Sequence, residues 1–249
     1  MTTPASFAAS PPRSFRRSRI IAKLVGILLL VALLGRLWSG GYFDRDPVWR
    51  FPAQGPAAPV DMLFFSGDAG LRFGMGPYIA KQFAAHGVDV TAISTSTAFR
   101  TNATRAGVDR IVAARIAEAE RAAGSRKLVV IGQSYGADVL QTGLAHLPPA
   151  LRDRIAGIVL IVPGTGTYFG ADPLGLAYYR APDSRSLTTI RALDWAPLTC
   201  IYGAEETDSA CPLVRMRNAT VIKLPGDHYL NHDQPGVAAT VLRAVRGAW

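Results

Sequence analysis

Cysteine is scarce in this chain, and so is charge. The 249 residues include two cysteines, which are too few for a disulfide-framework mini-protein or a four-cysteine zinc module. Charged residues make up 18% of the sequence and apolar residues 49%, a balance that a disordered chain does not have. The length suits one large domain or two small ones. We therefore expect a folded protein with a substantial core and without a metal site.

Acidic residues are absent before Asp44, so the net charge of +9 is unevenly distributed. From residue 44 onward, 21 basic residues stand against 18 acidic ones, and the bulk of the chain is close to neutral. Because a nucleic-acid-binding domain needs a basic surface of its own, this distribution argues against a nucleic-acid partner. The basic residues near the N-terminus are Arg13, Arg16, Arg17, Arg19 and Lys23.

An apolar segment over residues 20–38 follows this basic cluster. Its uninterrupted part, 24–35, is short for a membrane-spanning helix, but Lys23 and Arg36 can extend it by reaching toward the two interfaces. We interpret 20–38 as a single-pass transmembrane signal anchor, with residues 1–19 as a basic cytoplasmic tail and the rest of the chain exported. A cleaved signal peptide and a buried helix of a soluble protein are the alternatives.

Two stretches of the chain are rich in glycine and proline. Residues 39–59 contain three glycines and four prolines, which predicts a stiff linker rather than a helix or a central strand. Residues 163–197 combine glycine, proline and aromatic residues between two predicted strands. This second stretch predicts a lid or a substrate-shaping insertion.

Short apolar strands alternate with amphipathic helices from residue 60 onward. This alternation is typical of βαβ units, so we predict one α/β domain over 60–249, with a mostly parallel sheet and helices on both faces. The predicted strands cover 60–65, 88–93, 127–131, 155–162, 198–202 and 220–224. The predicted helices cover 78–86, 103–123, 135–147 and 237–249.

A G-x-S-x-G pattern occurs at Gly132–Gly136, between a predicted strand and a predicted helix. In that context the pattern predicts a nucleophile elbow, in which a tight turn raises Ser134 above the sheet and excludes side chains two positions away. The N–H of Tyr135 and the loop containing Gly67 and Asp68 are the predicted oxyanion and substrate contacts. The alternative is an ordinary turn with a capping serine.

A serine nucleophile needs a base, and in this arrangement the chain order is serine, acid, histidine. Three histidines follow Ser134. We predict His228 as the base, because it lies in the loop after the last strand, where ligands gather in α/β sheets. His232 is the alternative, and His146 lies at the far end of the predicted helix that starts at the elbow.

The acid should follow the preceding strand, where three carboxylates occur within four residues. We predict Asp208 as the triad acid, with Glu206 as the alternative. A remaining carboxylate, Glu205 or Glu206, is expected to bind a cationic group of the substrate. Cys200 and Cys211 flank this loop, and in an exported chain they can form a disulfide. Two free thiols are the alternative.

Four segments carry the most characteristic sequences of the chain. They are Ser-Gly-Asp-Ala-Gly after the first strand, Gly-Gln-Ser-Tyr-Gly-Ala-Asp-Val at the elbow, Tyr-Gly-Ala-Glu-Glu-Thr-Asp-Ser-Ala-Cys, and Leu-Pro-Gly-Asp-His-Tyr. Together they resemble the bacterial virulence protein VirJ/AcvB family from residue 60 to the C-terminus. The resemblance implies an α/β-hydrolase fold, with the family's serine, acid and histidine on Ser134, Asp208 and His228.

The resemblance also implies an activity and a location. Members of this family hydrolyse aminoacyl-phosphatidylglycerol in the periplasm, and some are linked to type IV secretion. Two departures from the family pattern, at Leu71 and at Asp227–Tyr229, leave the recognised amino acid open.

We therefore expect an inner-membrane serine ester hydrolase that acts on a membrane lipid without a metal or organic cofactor. The alternatives are a periplasmic esterase or peptidase for a soluble substrate, and a non-enzymatic accessory protein of a secretion system.

Overall fold

The computed structural model describes residues 13–101, 104–172 and 174–246, with side chains from Ser18 onward. Most of the predicted basic tail, residues 1–12, lies outside the described residues. The predicted start of one helix at residue 103 and the last three residues of the closing helix also lie outside them.

The chain begins with a long helix, α1, over Arg13–Ser39. Its part from Ser18 to Ser39 is 22 residues long, and it is the one described helix that is long and apolar enough to cross a membrane. At ~1.5 Å per residue these 22 residues extend ~33 Å, which matches the hydrocarbon thickness of a bilayer. None of this span is buried against the rest of the protein. By length and composition, α1 fits a membrane anchor or a signal sequence.

A seven-stranded sheet forms the centre of the domain, in the order β1-β3-β2-β4-β5-β8-β9. All neighbouring strands are parallel except β1, which pairs antiparallel with β3 at one edge. The prediction of a mostly parallel sheet is confirmed. The strands are β1 Val48–Phe51, β2 Val60–Phe65, β3 Val90–Ile93, β4 Lys127–Gln133, β5 Ile155–Ile161, β8 Leu198–Gly203 and β9 Ala219–Leu224. Two further strands, β6 Gly166–Thr167 and β7 Ser184–Arg185, form a separate small ribbon.

Helices cover both faces of the sheet because successive strand residues point to opposite sides. The helices are α2 Met75–Ala85, α3 Thr95–Ala98, α4 Arg105–Ala123, α5 Tyr135–Leu144, α6 Ser186–Ile190 and α7 Gln234–Val245. In β4, Leu128 and Val130 pack into the core beneath α4 and α5, whereas Val129 and Ile131 pack beneath α2 and α7. This arrangement confirms the predicted layered α/β fold.

The stretch 39–59, whose composition predicts a stiff linker, packs against the domain. It contains β1, and its first residues, Gly40 and Gly41, are buried against the domain. The guanidinium of Arg100 donates hydrogen bonds to the carbonyls of Tyr42 and Asp44, at 2.6 and 2.7 Å. Glycine and proline here shape a close-fitting connection between α1 and the sheet edge, where proline beside a strand is tolerated.

The predicted insertion, 163–197, lies over α5. The side chain of Gln141 in α5 donates a hydrogen bond to Thr167 and accepts one from Thr189, so both ends of the segment are held to that helix. Between them, a short 3₁₀ turn at Leu176–Tyr179 reaches the carboxyl end of the sheet. There the hydroxyl of Tyr178 donates a hydrogen bond to Asp68 at 3.3 Å.

Candidate active site

Ser134 lies at the turn between β4 and α5 with φ 53° and ψ −127°, which is a strained conformation for a residue with a side chain. Glycine is required two residues before and two residues after this serine. A Cβ at Gly136 would overlap the carbonyl oxygens of Phe65 and Ser66, and one at Gly132 would overlap the start of α5. The packing therefore accounts for the glycines of the G-x-S-x-G pattern and presents the serine hydroxyl above the sheet.

A chain of two hydrogen bonds runs from this serine through His228. Ser134 Oγ lies 2.8 Å from His228 Nε2, and His228 Nδ1 lies 2.6 Å from Glu206 Oε1. The Glu206 side chain is only 5% exposed. A carboxylate can only accept, so Nδ1 carries the proton and Nε2 accepts the proton of the serine hydroxyl. This tautomer is the one in which histidine can act as a base toward serine.

Glu206, rather than the predicted Asp208, occupies the acid position on the histidine. The chain turns immediately after β8, where Glu206 N–H donates to Gly203 O at 3.1 Å and Glu205 N–H donates to Gly226 O at 2.9 Å. This tight turn sets Glu206 beside the histidine loop. Asp208 lies two residues farther on, is exposed, and accepts a hydrogen bond from the Thr165 hydroxyl. The assignment of Asp208 as the triad acid is therefore corrected to Glu206.

The disulfide between Cys200 and Cys211 is present, as predicted. It joins the middle of β8 to the end of the loop that carries Glu206, and both cysteines are buried. A backbone bridge between Gly164 and Ser209 holds the same loop from the other side. The acid is thus carried by a loop fixed at both ends.

The other two histidines that follow Ser134 in the sequence take no part in the hydrogen-bonded chain. His232, the alternative base, stacks on Tyr229 with ring centroids 5.4 Å apart and has a left-handed backbone with φ 56°. His146 lies near Asp109 at 3.6 Å, at the end of the chain segment that follows α5. Neither ring is hydrogen-bonded to Ser134, so the structure places His228 alone at the serine.

The predicted oxyanion contacts lie on two sides of the serine. Tyr135 is the first residue of α5, so its N–H has no acceptor within the helix and lies at the positive end of the helix dipole. A Cβ at Gly67 would be 3.5 Å from the Cβ of Ser134, so the backbone of this loop passes over the serine. Thr95 Oγ1 lies 2.9 Å from the carbonyls of both Ser66 and Gly67, which fixes the loop.

A cavity of about 660 Å³ opens over the serine. Six carboxylates line it, and none of the described lining residues is a lysine or an arginine. A cavity lined mainly by one sign of charge favours a ligand of the opposite sign. The carboxylates belong to Asp68, Asp138, Glu205, Glu206, Asp208 and Asp227. In the part of the chain that the structure describes, no group of three or more His, Cys, Asp or Glu side chains is arranged to hold a metal ion.

Asp138 belongs to the characteristic elbow segment, but the sequence did not assign it a role in the site. It lies one turn after the serine in α5 and is 5% exposed, and its Oδ1 accepts a hydrogen bond from Gly164 N–H at 2.9 Å. Burial raises its pKa well above the usual value, and the nearby charges of Asp208 and Glu206 add to this rise. Burial likewise raises the pKa of Asp68. Burial is the main cause of both shifts, and for Asp68 the hydrogen bond from Tyr178 and the nearby Arg36 oppose the rise.

Comparisons with known structures establish the fold. Est1E from Butyrivibrio proteoclasticus superposes with a TM-score of 0.57 at 12% identity, over 80% of this chain and 93% of that one. A serine hydrolase homologue from Coxiella burnetii gives 0.56 at 11% identity, over 79% and 89%. XC6422 from Xanthomonas campestris, described as an α/β serine hydrolase without a lid, gives 0.53 at 15% identity, over 80% and 87%. The fold is thus that of the α/β serine hydrolases.

Sequence comparison identifies the family. No curated protein sequence matches the chain. A family model described as bacterial virulence protein (VirJ), however, matches residues 60–248, which is 189 of the 249 residues. The matched region begins at β2 and includes the serine, the histidine and the glutamate described above. The chain therefore belongs to the VirJ family of bacterial virulence proteins, and it carries an α/β-hydrolase fold.

Proposed function

We propose that this protein is a serine hydrolase that cleaves the aminoacyl ester of aminoacyl-phosphatidylglycerol. The observation that carries the hydrolase assignment is the hydrogen-bonded chain from Ser134 through His228 to Glu206, at 2.8 and 2.6 Å. Serine esterases need this order of groups, because the acid orients the base and the base takes the serine proton.

The first half of the reaction forms an acyl-enzyme. His228 Nε2 takes the hydroxyl proton as Ser134 Oγ attacks the ester carbonyl carbon. The N–H of Tyr135, together with the loop at Gly67, stabilises the negative oxygen of the tetrahedral intermediate. Collapse of the intermediate breaks the ester bond, and the imidazolium gives its proton to the departing glycerol oxygen. Glu206 stabilises the imidazolium throughout.

The second half of the reaction releases the amino acid. A water molecule gives a proton to His228 and attacks the aminoacyl carbonyl. The new tetrahedral intermediate expels Ser134 Oγ, which regains a proton from the histidine. The products are the free amino acid and phosphatidylglycerol, and no oxidant, reductant or metal takes part in these steps.

The charge of the cavity supports an aminoacyl substrate. An aminoacyl ester bears a free ammonium group next to the scissile bond, and the six carboxylates of the cavity have no lysine or arginine among the described lining residues to neutralise them. Burial is the main cause of the raised pKa of Asp138, and the charges of Asp208 and Glu206 add to it. Entry of a cation offsets the repulsion among these carboxylates. An uncharged acyl ester lacks this attraction to the carboxylates of the cavity.

We further propose that α1 anchors the protein in the inner membrane with the hydrolase domain in the periplasm. The basic residues before the apolar span favour a cytoplasmic N-terminus. The disulfide Cys200–Cys211 is stable in an oxidising compartment such as the periplasm. A reporter enzyme that works only after export, fused to the C-terminus, is expected to be active; activity of a cytoplasm-only reporter at the same position would contradict this placement.

Amino acid release from defined lipid vesicles tests the activity. The purified full chain is incubated with aminoacyl-phosphatidylglycerol and with the same lipid acetylated on its amino group. We expect rapid release from the first, slow release from the second, and a loss of at least ~10³-fold in kcat on Ser134→Ala. Equal turnover of both lipids would refute the cation preference. Turnover of water-soluble esters alone would indicate an esterase for a soluble substrate.

A further inference from the structure

Exposed apolar side chains occur in the lining of the cavity and in the segment next to it in sequence. After Phe43, eight large apolar side chains are exposed among the described residues, and six of them line the cavity or lie within four residues of Tyr178, which lines it. Their exposed fractions range from 43% to 92%, and the other two are Leu213 and Val221. We call the six the rim cluster: Phe73, Leu174, Leu176, Tyr178, Tyr179 and Tyr229. Contiguous exposed apolar residues of this kind mark an interaction surface.

Half of the rim cluster lies at the cavity over the catalytic serine. Phe73, Tyr178 and Tyr229 belong to the lining of the cavity itself. Leu176 and Tyr179 begin and end the 3₁₀ turn that carries Tyr178, and neither lines the cavity. Leu176 and Tyr179 thus flank a residue of the cavity lining, so a surface that covers them also lies beside the cavity.

The end of α1 is fixed to the same edge of the domain. Arg72 stacks on the Trp38 ring at 4.7 Å and donates a hydrogen bond to the Trp38 carbonyl at 3.0 Å. The backbone of Gly40 packs against that of Gly70, so closely that a Cβ at Gly70 would overlap it. Gly70 lies in the loop that also carries Gly67 over the serine. The helix end thus contacts the loop that forms one wall of the cavity.

The position of the helix end sets the height of the cavity above a bilayer. If residues 18–39 span the hydrocarbon core, Trp38 and Phe43, each 53% exposed, lie at the interface, where aromatic rings are favoured. The headgroup layer on each side is only about 5–7 Å thick. A loop in contact with Gly40 therefore lies at headgroup level. Tyr178 is joined to that loop through its hydrogen bond to Asp68.

We propose that the rim cluster docks onto the surface of the bilayer that α1 spans, so that the cavity opens directly into the lipid headgroup layer. This inference rests on the membrane placement of α1 in the proposed function. It assigns the partner of the cluster, a lipid surface, because the rigid joint at Trp38–Gly40 leaves the cluster beside the helix where it leaves the membrane. A lipid ester then reaches Ser134 without leaving the bilayer.

Depth-dependent fluorescence quenching tests the docking without relying on catalysis. Both native cysteines are in the disulfide, so a new thiol is the only reactive one. The full chain carrying Tyr179→Cys or, as the matched control, Val221→Cys is labelled with bimane and reconstituted in phosphatidylglycerol vesicles with nitroxide-labelled headgroups. Tyr179 is 92% exposed in the rim cluster and Val221 is 37% exposed in the middle of β9. We expect severalfold stronger quenching of the label at residue 179.

A kinetic measurement adds a functional readout. The double variant Leu176→Ser, Tyr179→Ser should lose about fivefold or more in turnover of a vesicle-embedded aminoacyl ester, since two apolar side chains no longer enter the interface. Its turnover of a soluble short-chain ester should equal that of the wild type, and Val221→Ser should change neither. A parallel loss on both esters would overturn the docking role.

Results against the membrane placement of α1 can be distinguished from results against the docking surface. Extraction of the chain from vesicles by alkaline carbonate would overturn the membrane placement of α1 and the docking surface with it. Retention in the vesicles with equal quenching at residues 179 and 221 would overturn the docking surface alone. In that case the hydrolase assignment at Ser134 stands, because the soluble ester measures it separately.

Discussion

The exchange Glu206→Gln is the sharpest test of the acid assignment. The Glu206 carboxylate accepts the His228 Nδ1 proton at 2.6 Å and is nearly fully buried, so water does not replace it. A glutamine keeps the shape but can present its N–H₂ group to Nδ1. The histidine then adopts the other tautomer, with its proton on Nε2, where it no longer accepts the serine proton. The analogous change in the serine proteases lowers kcat by about 10⁴, which corresponds to about 5.5 kcal/mol.

Asp208→Asn is the matched control for this test. Asp208 is exposed and is hydrogen-bonded to Thr165, so its loss should change kcat by no more than a few-fold. Steady-state kinetics on a soluble ester, with circular dichroism and melting to verify folding, compares the two variants. A folded Glu206→Gln enzyme with near-normal kcat, together with a crippled Asp208→Asn enzyme, would refute the reasoning and restore Asp208 as the acid.

Three further predictions concern the architecture of the site. Gly136→Ala forces a Cβ into the carbonyls of Phe65 and Ser66, so it should lower the free energy of unfolding by ~1–3 kcal/mol and reduce kcat. Gly157→Ala is the control, because a Cβ has space at this position in β5. Equal melting temperatures for the two variants would contradict the described packing. Reduction of Cys200–Cys211, which are 11 residues apart, should remove just under ~3 kcal/mol and lower the melting temperature by several degrees; an unchanged melt would show that the tether does not stabilise the domain. Burial raises the pKa of Asp138, so the folded state holds this proton to higher pH than the unfolded state does, and stability falls as pH rises above the ordinary value. Asp138→Asn removes this loss, so the melting temperature of the variant minus that of the wild type should increase from pH 4 to pH 8. A difference that stays constant with pH would contradict the raised pKa of Asp138.

Local features of the chain made the elbow predictable. The strand before Ser134, the helix after it and the glycines around it all lie within about twenty consecutive residues, and no distant contact is needed to recognise them. His228 was also predictable, because one loop at the carboxyl end of the last strand carries it. The disulfide was predicted because the two cysteines flank one loop of a chain expected to be exported.

The acid was not predictable, because its position depends on a tertiary contact. Glu205, Glu206 and Asp208 all lie within five residues of the end of β8. The hydrogen bonds from the turn to Gly203 and Gly226 decide which carboxylate faces the histidine. The bond from Glu205 to Gly226 joins two loops about twenty residues apart, so no local pattern reports it. The role of Asp138 was not predictable for a related reason, since its hydrogen-bond partner Gly164 lies in another loop.

The edge strand β1 was not predicted, because the residues around it are typical of a linker. Val48–Phe51 is four residues long and lies between two prolines, and its composition resembles that of a linker. Its pairing partner, Val90–Ile93, is about forty residues away. A strand of this length is stabilised by the sheet it joins rather than by its own propensity.

That edge strand also bears on how a soluble form of the protein should be made. The family match begins at residue 60, twelve residues after the start of β1. A fragment cut at that boundary would leave β3 as the margin of the sheet, with the backbone groups of Val90–Ile93 open to pairing with another molecule. An unprotected edge of this kind promotes aggregation during expression. A fragment that starts at Gly40 removes the apolar helix and keeps both β1 and the carbonyls that Arg100 binds.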